Sequence, residues 1–187
     1  MIIIVRNNIE MRTLTTDNAE EVFGTVDSNR AYLRQWLPWV DSTDNTAVTR
    51  DVIVSWKKER EAGTDYVFGI FKDNRYIGNI GPHGMKKANN SGMIGYWLAE
   101  SEQGKGIVTD CVRCFVEYGF TNLALNRIYI HCADSNTKSR AIPERLNFAL
   151  EGIFKDGECL YGKYFDLAVY GMLRQNWEAQ KEMIIAE

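Results

Sequence analysis

The sequence MIGYWLA at residues 93–99, followed closely by QGKGIV at residues 103–108, joins a strand pattern to a glycine-rich helix start. Aromatic and branched side chains favour an extended segment over residues 93–99, and the glycines that follow interrupt it. After Gly106 the apolar side chains recur at the spacing of one helix face; they are Ile107, Cys111, Cys114, Phe115 and Tyr118. The stretch therefore predicts a strand, a tight glycine loop and an amphipathic helix that packs on a sheet.

The two glycines of this loop stand where the first N–H groups of the helix have no intrahelical partner. Glycine lets an anion approach such groups closely, so the segment resembles a pyrophosphate cradle. It does not match a nucleoside-triphosphate loop, and a dinucleotide fingerprint would require glycine at Thr109. Two interpretations remain open from these residues alone: a site for a phosphate-bearing ligand and an ordinary glycine-rich helix start.

The segments at the beginning of the chain are mainly helical. Alternation over residues 9–14 predicts a first strand, and Thr16-Asp17-Asn18 predicts the start of a helix. A further helical turn is expected over residues 28–37, ended by Pro38. A longer helix is expected over residues 45–62, with Gly63 as its C-terminal stop.

A change to strand periodicity marks the middle of the chain. Residues 66–71 and 75–80 flank Asp73-Asn74, and both of these turn residues tolerate left-handed backbone geometry. This pattern predicts a hairpin directly before the strand at residues 93–99.

The segments after the amphipathic helix predict three more strands and two helices. Residues 127–132 alternate as a strand, and Asp134-Ser135-Asn136 is a turn and cap signal for a helix. Residues 148–160 and 163–173 predict two long strands, followed by a short closing helix. This order suits a mixed α/β sheet with helices on both faces.

Composition agrees with one globular domain over residues 1–187. The chain has 187 residues, of which 45% are hydrophobic and 25% charged, so a sizeable core forms without disulfides or a structural metal. A net charge of -3 argues against direct binding to nucleic acid. Residues 1–5 are apolar but too short for an export signal, and no stretch is long enough to span a membrane. A cytoplasmic location is therefore expected.

The cysteines and histidines do not suggest a metal or redox site. Cys111 and Cys114 lie on the apolar face of the predicted helix, and the chain has no second pair of ligands at matching spacing. All four cysteines are interpreted as small core residues, and His131 as a structural strand residue. No metal is expected.

The loop and its surroundings resemble the GNAT acetyltransferases. Residues 103–108 match the pattern Gln/Arg-x-x-Gly-x-Gly/Ala, which follows a strand in that family, except that Val108 stands at the last position. Further segments resemble the RimJ/RimL-type branch, which acetylates N-terminal amines of ribosomal proteins. They are the run from Tyr32 to Trp39 with its Leu-Pro-Trp element, Ile94-Gly95-Tyr96-Trp97-Leu98, Asn136-x-x-Ser139 and Glu151-Gly152.

The resemblance implies a GNAT fold of the α/β (α+β) class. In that fold about seven strands form a mixed, mostly antiparallel central sheet with helices on both faces. The strand at residues 96–99 is expected to splay from its neighbour.

The resemblance also implies acetyl-coenzyme A as co-substrate. Its pyrophosphate is expected on the N–H groups of residues 103–109, and its pantetheine arm on the free backbone groups of Trp97 and Leu98. Asn136 is implied on the other side of the arm, although a simple role as a helix-start residue stays open. The implied cofactor residues are Trp97, Leu98, Ala99, Gln103, Gly104, Lys105, Gly106, Ile107, Val108, Thr109 and Asn136.

Two catalytic residues follow from the resemblance to the RimL-type enzymes. Glu158 is the implied general base for the amine, and Ser139 the implied acid for the departing thiolate. Many relatives place a tyrosine acid seven residues after the asparagine, but that position is Pro143 here. A solvated strand carboxylate and a serine bonded to its own backbone stay open as alternatives.

The acceptor is expected opposite the cofactor, against Trp36 and Trp39, although both tryptophans also suit a core or a dimer interface. The branch implies a protein N-terminus, with a ribosomal protein first. A polyamine, an amine-bearing antibiotic and a non-catalytic acyl-coenzyme A binding module remain alternatives. A homo-oligomer is expected.

Overall fold

One sheet of eight strands runs through the computed structural model, which describes residues 1–186. The strands are β1 (Ile2–Arg6), β2 (Ile9–Arg12), β3 (Phe68–Lys72), β4 (Arg75–Lys86), β5 (Ser91–Leu98), β6 (Arg127–Ala133), β7 (Ala149–Leu160) and β8 (Lys163–Leu173). The α-helices are α1 (Ala19–Ser28), α2 (Arg30–Leu33), α3 (Thr46–Glu61), α4 (Ile107–Thr121), α5 (Thr137–Arg145) and α6 (Arg174–Ala186).

The strands are ordered β1-β2-β3-β4-β5-β6-β8-β7. Every neighbouring pair is antiparallel except β5 and β6, which run parallel. The expectation of a mixed, mostly antiparallel sheet is confirmed, with one strand more than expected.

The additional strand is β1, which the sequence analysis did not assign. It lies at the edge of the sheet and pairs with β2 through a turn at residues 7 and 8. Ile2 and Ile4 point to solvent, being 59% and 67% exposed, while Ile3 and Val5 pack against the main core. An edge strand with apolar residues on both faces shows no alternation, so periodicity did not reveal it.

Two other boundaries differ from expectation. The second helical segment, α2, ends at Leu33, and Pro38 opens a 3-10 turn (Pro38–Asp41) instead of closing a helix. Proline suits a first helical position because its missing N–H would be unpaired there in any case. Strand β4 also continues well beyond residue 80, because β5 pairs with it as far as Lys86.

Helices cover the sheet on both faces, as expected. On one face the large core packs α4 against the central strands, through Phe115 and Phe120. On the other face a smaller core joins Val22 of α1 and Ile53 of α3 to Tyr76 of β4. Among the described residues, no helix combines the length and apolar character needed to cross a bilayer.

Candidate active site

Strands β5 and β6 pair only over their first residues and then diverge. Their parallel ladder ends with Met93 opposite Tyr129, whereas β5 stays paired with β4 as far as Leu98. The later residues of β6 pair with β8. A wedge-shaped gap therefore opens between β5 and β6, and the expected divergence of the strands is confirmed.

The edge of β5 that faces this gap carries unpaired peptide groups. The N–H of Ala99 donates to the carbonyl oxygen of Ile77 at 2.8 Å, and peptide groups along a strand alternate in direction. The groups of Leu98 and Tyr96 therefore face the gap, whereas those of Trp97 face β4. This corrects the expected pair of Trp97 and Leu98, because the ladder with β4 already engages the backbone of Trp97.

Helix α4 begins beside the gap with free N–H groups. The first bond along the helix runs from the N–H of Asp110 to the carbonyl of Gly106 at 3.0 Å. No side chain caps this end. The N–H groups of Ile107, Val108 and Thr109 are consequently available, and they stand at the positive end of the helix dipole.

The two glycines before α4 have left-handed backbones, with φ of +71° at Gly104 and +74° at Gly106. A Cβ atom at either position would meet no atom within 4 Å. The backbone angle, and not crowding, therefore requires glycine here, and the space above the loop is open to a ligand.

Ion pairs hold the loop from both sides. Glu102 accepts from Lys72 at 2.8 Å and from Lys105 at 3.0 Å, and these bonds lower the pKa of the Glu102 carboxyl. Arg6 of β1 binds Asp110 of α4 at 2.9 Å. The ammonium group of Lys105 is thus engaged by Glu102, not pointed into the gap.

Gln103 bridges helices on the two sides of the gap. Its amide nitrogen donates to the hydroxyl of Tyr32 on α2, and its oxygen accepts from Lys138 on α5 at 3.2 Å. Asn136 caps α5, since its side-chain oxygen accepts from the N–H of Ser139 at 3.2 Å. The helix-start interpretation of Asn136 is therefore confirmed, and its position beside the gap remains compatible with a ligand contact.

A single cavity of about 1230 Å³ occupies the gap and continues to the other face of the sheet. It brings together all but two of the residues proposed from the sequence, since Ala99 and Lys105 lie outside its wall. Those that line it are Trp36, Trp39, Trp97, Leu98, Gln103, Gly104, Gly106, Ile107, Val108, Thr109, Asn136, Ser139 and Glu158.

Glu158 lines the cavity directly after a bulge in β7. Register with β8 is lost between Phe154 and Glu158, and Asp166 of β8 holds the bulge by accepting from Lys155 at 2.7 Å. The Glu158 side chain is half-buried, and burial raises the pKa of its carboxyl. Among the described residues, the Glu158 carboxylate has no hydrogen-bond or ion-pair partner, so it is free to accept a proton.

Aromatic side chains form the wall of the cavity near Glu158. Trp36 packs edge-on against Phe165 with ring centroids 5.8 Å apart, and Trp39 lies 6.0 Å from Trp97. Trp36 is half-buried and Trp39 is 38% exposed. Both tryptophans therefore line an open space instead of filling the core.

The tip of the β7–β8 hairpin is held against this wall by Arg34. Its guanidinium stacks 4.1 Å from the ring centroid of Tyr161 and donates to Asp41 at 2.8 Å. Arg34 thus links the hairpin tip to the 3-10 turn that carries Trp39.

The family of the chain follows from comparison with known proteins. Residues 8–149 match the acetyltransferase (GNAT) domain model. The chain belongs to the GNAT acetyltransferase family. It is an acetyl-coenzyme A-dependent N-acetyltransferase, as its named relatives also indicate.

Relatives of this GNAT domain align along almost its whole length. A putative ribosomal N-acetyltransferase, YdaF of Bacillus subtilis, is 33% identical over 95% of this chain and 97% of its own. A ribosomal-protein-serine acetyltransferase of Escherichia coli is 28% identical over 90% of this chain and 94% of its own.

A solved GNAT structure is similar throughout. RimL, described as a ribosomal alpha-N-protein acetyltransferase in complex with coenzyme A, superposes with a TM-score of 0.91 and is 28% identical. The superposition covers 94% of this chain and 99% of that one. The expected GNAT fold and RimL-type resemblance are therefore confirmed.

Tyr96 is the polar residue of this GNAT site that the sequence analysis missed. Its hydroxyl lies 3.1 Å from the carbonyl oxygen of Ser139 and 3.3 Å from the Ser139 hydroxyl. One residue in the sequence points to this contact: Pro143 has no N–H, so the Ser139 carbonyl lacks its usual helical donor.

The cysteines of the GNAT domain are only partly as expected. Cys111 and Cys132 are buried, and burial raises the pKa of their thiols to about 12 and about 11. Cys114 is partly buried, but Cys159 is exposed, which corrects its assignment to the core. Its position on β7 near the hairpin tip places it beside solvent.

Within residues 1–186, no group of three or more His, Cys, Asp or Glu side chains is arranged so that it could hold a metal ion. His83 and His131 both line the cavity, and burial lowers the pKa of each imidazole. Metal-free catalysis stays a prediction.

Proposed function

We propose that this GNAT enzyme acetylates the N-terminal α-amine of a protein, with a ribosomal protein as the first candidate. The observation that carries the proposal is the cavity itself, which joins the uncapped start of α4 to Ser139 and Glu158. The names of the Escherichia coli relative and of the RimL structure support the acceptor class.

The residues around the gap fit acetyl-coenzyme A. Free N–H groups of Ile107, Val108 and Thr109 suit a pyrophosphate, and the open space above Gly104 and Gly106 admits it. The unpaired edge of β5 suits an amide-bearing arm, which would add to the sheet as a short strand. When bound, the co-substrate supplies the activated acetyl thioester.

Glu158 and Ser139 divide the proton transfers between them. A raised pKa brings the Glu158 carboxylate closer to the basicity that accepts a proton from an amine near neutral pH. Ser139, which lines the same cavity, supplies its hydroxyl proton to the leaving thiolate in this proposal. The amine attacks as a neutral group, so one proton must leave it during the reaction.

Charge on the cavity wall favours a peptide N-terminus over a polyamine. Three of its four carboxylates, Glu100, Glu102 and Asp110, lie at the cofactor end, and only Glu158 stands beside the tryptophans. One carboxylate suits one ammonium group, whereas a polyamine carries several positive charges that would remain uncompensated.

Release of coenzyme A thiol tests the proposal directly. A serine-initiated peptide should give thiol release, and the same peptide with a blocked N-terminus should give none. Faster release with spermidine or an aminoglycoside would instead favour the small-amine alternative. If the cofactor binds but no acceptor gives release of coenzyme A thiol, the protein is instead a non-catalytic acyl-coenzyme A binding module.

A single domain over residues 1–187, a cytoplasmic location and a homo-oligomeric state belong to the same proposal. Light scattering coupled to gel filtration measures the oligomeric state. A monomer at micromolar concentration would overturn that part without affecting the proposed reaction.

A further inference from the structure

Helix α5 contains a carbonyl group that its own backbone cannot satisfy. In a regular helix the N–H of residue 143 would donate to the carbonyl of Ser139, but Pro143 has no N–H. Pro143 is buried and Ser139 is partly buried, so water can reach this carbonyl only from the cavity side. A carbonyl in such a place requires a donor from elsewhere.

That donor comes from the sheet. The Tyr96 hydroxyl of β5 lies 3.1 Å from the Ser139 carbonyl oxygen, and a carbonyl can only accept, so Tyr96 is the donor. Once its proton is committed in this way, the Tyr96 oxygen can only accept at its second contact. The Ser139 hydroxyl, 3.3 Å away, can then donate to it.

We propose that Tyr96 is a positioning residue that holds the Ser139 hydroxyl, through the carbonyl that Pro143 leaves unpaired. Tyr96 touches Ser139 from β5, the strand whose free edge faces the cofactor gap. As charge develops on the leaving sulfur, the Ser139 hydroxyl turns its proton from Tyr96 to that sulfur, where the S–H bond forms as the O–H bond breaks. The Tyr96 hydroxyl, 3.3 Å away, can then donate a hydrogen bond to the serine oxygen that has lost its proton. This inference rests on the proposed role of Ser139.

The environment of Tyr96 keeps it a donor and not a base. Burial raises the pKa of its phenol well above the usual value. The group therefore stays protonated near neutral pH, and it can hold Ser139 without exchanging charge.

A double-mutant cycle in turnover separates positioning from a merely structural role. Tyr96→Phe should lower kcat on the order of tenfold, the effect of one well-placed hydrogen bond, and change KM for acetyl-coenzyme A by less than about twofold. In a Ser139→Ala background the same substitution should change kcat by less than about twofold, because the hydroxyl that Tyr96 holds is gone. Tyr118→Phe, which removes a phenol from the packing of α4, serves as the control and should leave kcat unchanged.

A second cycle tests the carbonyl. Pro143→Ala supplies an N–H at the position that would bond to Ser139, so Tyr96→Phe should lower the melting temperature less in that background than in the wild type. This double variant also provides a folded protein for kinetics if Tyr96→Phe alone does not fold.

The outcomes distinguish this inference from the proposed function. An equal loss of kcat from Tyr96→Phe with and without Ser139 would overturn positioning through Ser139 and leave the acid role intact. An unchanged kcat in Ser139→Ala itself would overturn both the positioning role of Tyr96 and the acid role of Ser139. Equal melting losses in the two Pro143 backgrounds would show that Tyr96 does not satisfy the carbonyl.

Discussion

Glu158 depends on its surroundings more than on its own sequence context. The segment around it, Lys155-Asp156-Gly157-Glu158, reads as a polar strand of ordinary composition. Its carboxylate lines the cavity directly after a bulge in β7, and bulges are common next to active sites. Two predictions belong to this residue.

Glu158→Gln should lower kcat by roughly 10²- to 10⁴-fold, the usual contribution of a positioned general base, while acetyl-coenzyme A still binds. The amide keeps the shape of the carboxylate and removes its basicity. Ser139→Ala should cost less, because a thiolate with a pKa near 8.5 leaves tolerably without an acid. Glu151→Gln on the same strand is the matched control, since Glu151 pairs with Arg127 away from the cavity. If Glu158→Gln kept near-native turnover, a group other than Glu158 would have to accept the proton from the amine.

The pH dependence of log(kcat/KM) should show the raised pKa of Glu158. Below about pH 8 the rate falls with slope one as the acceptor amine gains a proton. The slope should become two below the pKa of Glu158, which burial places above the usual 4.5, because the base is then protonated as well. Glu158→Gln should keep slope one throughout. A second break at the same pH in the variant would contradict the assignment.

At the scale of single elements, a single substitution can test the start of α4 for ligand binding. Another can test the junction before β3 for its effect on stability. The first offers free N–H groups to an anion, and the second holds a half-buried carboxyl. One prediction addresses each.

Gly106→Ala should weaken binding of acetyl-coenzyme A, because alanine disfavours φ of +74° and its methyl group enters the open cradle. Gly162→Ala in the β7–β8 turn is a matched control, with φ of +77° and equally open space. Both should lose about 1 kcal/mol of stability to backbone strain. Only Gly106→Ala should raise the dissociation constant of acetyl-coenzyme A measured by calorimetry. An equal rise in both variants would show that the loop before α4 does not bind the pyrophosphate.

Asp65→Asn should stabilise the protein increasingly as pH rises from 4 to 7. Burial, with a smaller contribution from Glu59, raises the pKa of Asp65 from 3.8 to about 6. The folded state therefore holds a proton that the unfolded state has lost, so the wild type loses stability as pH rises through this range. After allowance for solvent screening, the variant should gain about 1 kcal/mol at pH 7 and nothing near pH 4. Urea unfolding of both proteins across the range measures this, and a gain independent of pH would refute the titration.

At the scale of the whole molecule, the cavity joins α4 on one face of the sheet to α2 and the tryptophans on the other. Acetyl-coenzyme A at about 100 times its dissociation constant should add ~2.7 kcal/mol of stability and raise the melting temperature by roughly 5 to 10 °C. A strong chelator should change neither this rise nor turnover. An unchanged transition with saturating cofactor would reject the binding mode, and zinc-reversible loss of activity would reject metal-free catalysis.

Local patterns alone determined most elements of this protein. The hairpin at Asp73-Asn74, the helix between Asn45 and Gly63 and the glycine start of α4 all appear where the sequence predicted them. Turn geometry, capping and one apolar face per helix are properties of neighbouring residues, so they can be recognised without knowledge of distant contacts.

Tertiary structure alone decided how these elements form a site. The end of the β5–β6 ladder at Met93, the cavity that Glu158 shares with α4, and the bond from Tyr96 to the Ser139 carbonyl all depend on segments far apart in the chain. Since proline has no N–H, Pro143 deprives that carbonyl of its usual helical donor. Its donor, 43 positions away from Ser139, could be found only once packing had brought the strand beside the helix.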